Sequence, residues 1–146
     1  MKKKLFLFFY LIIILTLYFK IPSYAQKAED YYYKANLSLT SGNITEAVTF
    51  YKLAAEKNPD FYEAYLGLSI AYRELGYFNK AHDSILKVIE IQPDYYQVYY
   101  NLGLILEKQN KPEEALTAYQ KFLEKVPGAS QFTDTKQRIS RIKGLK

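Results

Sequence analysis

Few residues of this chain are equipped for chemistry, and their spacing argues against it. His82 is the sole histidine, and cysteine is absent. A nucleophile triad or a metal site would have to be assembled around that one imidazole, and no second nitrogen or sulfur ligand stands at metal-ligand spacing from it. His82 therefore reads as an ordinary surface or boundary residue. Glu113 and Glu114 are neighbours on a helix, so their carboxylates diverge. Placed directly after Pro112, they suit the positive end of a helix better than paired acid–base work. The six glycines are dispersed rather than gathered in a phosphate-binding loop. These residues point to no enzyme, no cofactor and no metal.

The formal charge of +5 is unevenly placed. Lys2, Lys3, Lys4 and Lys20 lie in an N-terminal segment without acids, and the remainder carries a net +1. The excess is a feature of that segment and not a basic surface for nucleic acid. Residues 1–25 have the layout of a secretory signal: a lysine cluster, an apolar run from Leu5 to Phe19, the helix breaker Pro22, and small Ser23 and Ala25 at the positions a signal peptidase reads. The fifteen-residue run would span roughly 22 Å as a helix, against a hydrocarbon core of about 30 Å. One expectation is cleavage after Ala25. The other is retention as a membrane anchor, lengthened by aromatic flanks and Lys20. Both export the rest of the chain, to the periplasm or cell envelope.

The elements that would position a site follow from a repeat. Ala47, Ala81 and Ala115 stand 34 residues apart, as do Pro59, Pro93 and Pro127, Tyr31, Tyr65 and Tyr99, and Gly42, Gly76 and Asn110. A fixed period of this length signals stacked supersecondary units. The second unit carries Tyr65-x-x-Leu68-Ser69-x-x-Tyr72, then Leu75-Gly76, Ala81, Ile85 and Pro93; the third carries Tyr99-x-x-Leu102-Gly103-x-x-Leu106, then Ala115, Tyr119 and Pro127. On these residues the chain resembles the tetratricopeptide repeat family. The first unit matches at Ala35, Gly42, Ala47, Tyr51 and Pro59 and departs at Lys34 and Ser38. The resemblance implies an all-α fold: an α-solenoid of three helix-turn-helix units over residues 28–61, 62–95 and 96–129, closed by a C-terminal capping helix over 130–146.

Local signals specify the helices further. The first should run from Glu29 to about Thr40 and stop at Gly42. Asn43 with Glu46, Asp60 with Glu63, and Asp94 with Gln97 are spaced as capping pairs. Small Ala35, Ser69 and Gly103 should let paired helices approach closely, with Tyr51, Ile85 and Tyr119 filling the space between units alongside Ala54, Val88 and Phe122. In the last helix, Phe132, Ile139 and Ile142 form the packed face, with Lys136, Arg138, Arg141 and Lys143 mostly in water.

The site expected is the concave face, which in the tetratricopeptide family is lined by the first helix of each unit. The resemblance places Tyr32, Tyr33 and Asn36 there from the first unit, Leu66, Ile70 and Arg73 from the second, and Tyr100, Asn101 and Leu104 from the third. An aromatic and aliphatic centre with amides suits an extended peptide or a partner helix. Part of the family binds chaperone C-terminal carboxylates through lysines, an arginine and asparagines. Those positions fall here on Tyr32, Asn36, Gly67, Gln97 and Asn101, and only Asn36 has the required type. Without that positive clamp, binding should rest on apolar burial and depend only modestly on salt. The leading reading is a non-enzymatic protein–protein interaction module of the cell envelope, with a protein or peptide partner, no nucleic acid, and membrane contact only through the N-terminal segment if uncleaved. The alternative is a membrane-anchored or self-associating structural subunit of a larger envelope assembly.

Overall fold

Three residues in the left-handed backbone region set the architecture. Gly42, Gly76 and Asn110 have φ of 81°, 77° and 59°, and each closes the C-terminus of a helix in the same way. The Asn43 N–H donates to the Ser38 carbonyl at 2.8 Å, Tyr77 to Tyr72 at 2.8 Å and Lys111 to Leu106 at 2.9 Å. The preceding N–H groups of Gly42, Gly76 and Asn110 donate three residues back, at 3.0–3.1 Å. Carbonyls orphaned by the helix end are thereby satisfied, and the chain reverses within a few residues. Glycine takes this conformation without steric cost, and asparagine tolerates it.

A computed structural model describes the backbone of residues 2–144 and the side chains of residues 7–14 and 26–144. The elements are α1 (Lys2–Thr40), α2 (Ile44–Lys57), α3 (Tyr62–Glu74), α4 (Phe78–Ile91), α5 (Val98–Lys108), α6 (Pro112–Lys125) and α7 (Phe132–Gly144). There is no strand among the described residues. The helices pair as α1 with α2, α3 with α4 and α5 with α6, stacked into an all-α solenoid with α7 against the last pair. Pro59, Pro93 and Pro127 follow the ends of α2, α4 and α6, where a residue without an N–H cannot continue the ladder. Pro112 opens α6, where the missing N–H is not needed.

Two local expectations are corrected. The spaced capping pairs do not form: Asn43 makes no side-chain cap bond, and α3 and α5 begin at Tyr62 and Val98 without one. The left-handed turns and short backbone bonds such as Tyr62 N–H to Asp60 carbonyl, 3.0 Å, already bring the chain into the helix. The first helix is also longer than expected. α1 starts at Lys2 and passes through Pro22 to Thr40, so the apolar run and the first repeat helix are one rod; a proline inside a helix removes a single backbone bond and need not end it. The Ser23–Ala25 cleavage point lies outside the residues whose side chains are described.

Packing follows the repeat. Ala35, Ala47, Ala81 and Ala115 are fully buried, as are Ser69 and Gly103, so paired helices meet through small residues. Tyr51, Ile85 and Tyr119 fill the seams with Ala54, Val88 and Phe122, all buried, and each large side chain contributes about 1.5–3 kcal/mol. α7 lays Ile142 and Ile139 on Leu106, Ala115, Ala118 and Tyr119, covering apolar surface that a last unit cannot cover by itself.

Candidate peptide-binding face

The first helix of each pair, α1, α3 and α5, carries the nine residues expected on the concave face, and their surroundings differ sharply. Tyr33 on α1 stands in solvent, 71% exposed. Its neighbour Tyr32 does not: the ring lies 5.8 Å from Tyr51 and 5.1 Å from Phe61, centroid to centroid, so it packs the seam between the first two pairs. The Asn36 side-chain oxygen accepts a hydrogen bond from the Tyr51 hydroxyl at 2.6 Å. Burial, with the neighbouring Tyr32, pushes the Tyr51 phenol up to about 12. On α3, Leu66 is half-buried against the core of the first two pairs, and Ile70 is half-buried. Asn101 on α5 is likewise half-buried.

Gly67, at the centre of α3, contributes no open floor. A Cβ there would lie 2.3 Å from the Tyr51 ring, because Tyr51 of α2 threads between α1 and α3 to reach Asn36. The same device recurs on α5, where a Cβ on Gly103 would lie 2.3 Å from Tyr119. Two of the positions that would clamp a terminal carboxylate, Asn36 and Gly67, are thus occupied by an internal tyrosine.

At the far end of the face, α7 changes the chemistry. The Tyr100 hydroxyl donates to Asp134 at 3.0 Å, and its ring lies 5.6 Å from Phe122, so Tyr100 is tucked under the capping helix. Arg138 donates from Nε to Asp134 at 2.7 Å and from its terminal nitrogen to Glu107 at 3.1 Å; the Tyr119 hydroxyl donates to the same Glu107 oxygen. Hydrogen bonding from Arg138 holds the Asp134 carboxyl below its usual range against the opposing effect of burial. Burial raises the Tyr100 and Tyr119 phenols, and the carboxylates of Asp134 and Glu107 raise them further. For Arg138 burial works against the charge, but its two carboxylate partners outweigh it and the pKa rises. Arg138 therefore leaves the solvated face expected of it, since α7 places it within reach of two carboxylates.

Beside this network opens a cleft of about 430 Å³ lined by Arg73, Leu104, Glu107, Lys108, Arg138 and Arg141. It brings Arg73 and Leu104 together with Arg138 and Arg141, which the sequence reading left in water. Asp134 four residues before Arg138 was the available signal, but the Glu107 contact is long-range and has no sequence signature. His82 lies 4.0 Å from the neighbouring Asp83 carboxylate and lines a separate cleft with Tyr99 and Lys121.

Comparison with known proteins decides the family. The tetratricopeptide repeat profile matches residues 62–95 and, immediately after, 96–127. The chain belongs to the tetratricopeptide repeat family. This tetratricopeptide chain is 32% identical over 98 residues to small glutamine-rich tetratricopeptide repeat-containing protein 2 of Saccharomyces cerevisiae, a match covering 67% of the chain and 28% of that relative. It is 32% identical over 102 residues to the tetratricopeptide repeat and J domain-containing co-chaperone DNJ1 of Cryptococcus neoformans, covering 68% of the chain and 19% of the relative. The chain thus spans less than a third of either protein. Its fold is that of the first tetratricopeptide domain of Spaghetti (RPAP3), solved bound to the HSP90 peptide SRMEEVD, with a TM-score of 0.76 at 24% identity over 82% of this chain and 95% of that one. The family is a protein-interaction module.

The export expectation is overturned at this point. The matching relatives are mostly eukaryotic, among them a tetratricopeptide repeat and J domain-containing co-chaperone and an Hsp70-Hsp90 organizing protein. Among the described residues no helix is long and apolar enough to cross a membrane. α1 carries the apolar run into the first repeat helix without a break.

Proposed function

We propose that this chain is a non-enzymatic interaction module that holds an extended peptide or protein segment across the face of α1, α3 and α5. The observation that carries the reading is the open cleft shared by α3, α5 and α7, with the half-buried Leu66, Ile70 and Asn101 on two of the same helices. Family membership and the peptide seated on a domain of the same fold support it. Helices about 8–10 Å apart make a floor roughly 16–20 Å across, enough for about five or six residues at about 3.3–3.6 Å each. Of the nine candidates, Tyr33, Leu66, Ile70, Arg73, Asn101 and Leu104 are assigned to the ligand; Tyr32, Asn36 and Tyr100 hold the face in shape.

The test is an array of amide-capped hexapeptides probed with the full chain and with Ile70→Asp. The wild type should retain a related set of peptides, and Ile70→Asp should lose it with helicity by circular dichroism unchanged. Equal capture by both would move binding off this face. A second reading, a self-associating subunit, is favoured by one observation: Leu7 to Ile14 at the start of α1 are 38–66% exposed, a larger apolar surface than a monomer ordinarily leaves in water. Sedimentation should then show association for the full chain and not for residues 26–146, and equal masses would dismiss it.

A further inference from the structure

We propose that the α3–α5–α7 end of the face is a subsite for an acidic side chain of the bound peptide, taken by Arg73, Lys108 and Arg141 beside the apolar wall of Leu104. The inference rests on the peptide-binding reading and specifies the class of peptide. The cleft is lined by four cations and one carboxylate, and that carboxylate is already engaged. Glu107 accepts from Arg138 at 3.1 Å and from the Tyr119 hydroxyl, while the Nε of Arg138 is committed to Asp134 at 2.7 Å. Arg138 is therefore a strut whose charge is matched within the fold. Lys108 and Arg141 make no hydrogen bond or close ion pair among the described residues, and Arg141 has only a longer-range attraction to Asp134. Arg73 bonds only to the adjacent Glu74, at 2.9 Å, whose side chain is 51% exposed, a pairing that contributes little and exchanges readily.

The charge left over in the cleft is consequently positive, on two arginines whose planar forks can donate two parallel bonds to a carboxylate and on the point charge of Lys108. Leu104 on the same wall adds a place for an apolar neighbour, so the favoured ligand alternates or adjoins acidic and apolar residues. A nucleic acid fits less well. Glu74 and Asp134, bonded to two of the arginines, would repel a run of phosphates, and the chain beyond its N-terminal lysines carries a net charge of only +1. None of Tyr32, Asn36, Gly67, Gln97 and Asn101 lines this cleft, so recognition here requires no free C-terminus.

The experiment uses the same amide-capped hexapeptide array, the full chain, and the double variant Arg73→Gln/Arg141→Gln, which leaves the Arg138 strut in place. The wild type should enrich Asp or Glu at one or two fixed positions next to Leu, Ile or Phe. Resynthesising the strongest peptide with each Glu changed to Gln should weaken binding about tenfold at the acidic position, as expected for loss of a charge-assisted pair. The double variant should keep the apolar preference and bind the Glu and Gln peptides alike. Apolar peptides retained without acid preference, or an acid preference unchanged in the double variant, would overturn the subsite while leaving the peptide-binding face intact. No retained peptide from the array would overturn both. Retention of polyuridylate by the wild type, lost in the double variant, would replace the acidic peptide with a nucleic acid and also overturn the proposal.

Discussion

A methyl group at position 67 would lie 2.3 Å from the buried Tyr51 ring, a ring that cannot swing aside because its hydroxyl is fastened to Asn36. Gly67→Ala should therefore destabilise the domain by about 1–2 kcal/mol, since overpacking outweighs the roughly 1 kcal/mol that alanine adds to a helix. Urea unfolding of the full chain measures this, and an unchanged or higher midpoint would mean that Tyr51 does not occupy the notch. The same tyrosine makes an alkaline prediction. Its folded pKa is raised from 10.0 to about 12, so the unfolded chain loses the proton first as pH rises. The stability it contributes is complete below pH 10 and is lost between pH 10 and about 12, on the order of 2 kcal/mol. Tyr51→Phe should flatten that part of the profile; an identical decline in the variant would assign it to other tyrosines.

At the scale of an element, α7 joins its neighbours through two kinds of contact. Ile142 and Ile139 bury against the last pair, while Arg138 bridges to α5 through Glu107. Deleting residues 129–146 removes both and bares Tyr119 and Phe122, which are fully buried in the intact chain. The truncated protein should melt lower and self-associate, and a clean monomer with unchanged melting would show that α7 is not a cap. Arg138→Met tests the polar part alone: the side chain still fills its space, yet Glu107 and Asp134 lose their shared partner. A loss of about 1–3 kcal/mol is expected, with the Asp134 contribution to acid stability removed. That contribution is present above the ordinary aspartate range and is lost as pH falls through the lowered folded value. Wild type and variant should therefore diverge above about pH 4 and converge at lower pH.

For the whole molecule, the proposed face would be two surfaces in series: aromatic and aliphatic along α1 and α3, cationic where α5 meets α7. Peptide capture should accordingly weaken several-fold, without vanishing, as added salt shortens the screening length from about 10 Å to about 3 Å. Fluorescence anisotropy of the array's strongest peptide reads this. Complete release at moderate salt would make the site purely electrostatic, and no change at all would remove the cationic end from it. Arg138 and Arg141 come from α7, outside the repeats, so the first helices alone could not show that they stand beside Leu104.

The sequence alone was enough for whatever depends on local chemistry repeated at a fixed interval. Gly42, Gly76 and Asn110 had to reverse the chain, and Ala35, Ala47, Ala81 and Ala115 had to sit where helices meet, because each is a steric requirement of one unit and every unit has it. The spaced capping pairs were equally local, and they failed because short backbone bonds of the preceding turns, such as Tyr62 N–H to the Asp60 carbonyl and Val98 N–H to the Tyr95 carbonyl, had already led the chain into those helices. The candidate face divided along the same line. Tyr33 stands in solvent, whereas the surroundings of Tyr32, Asn36 and Tyr100 depended on which ring or helix arrived opposite them. Tyr51 fills Gly67 from a neighbouring unit, and Arg138 reaches Glu107 across 31 positions of sequence. Contacts of that range break the periodicity, so only the stacked structure could decide them, and with them the charge of the site.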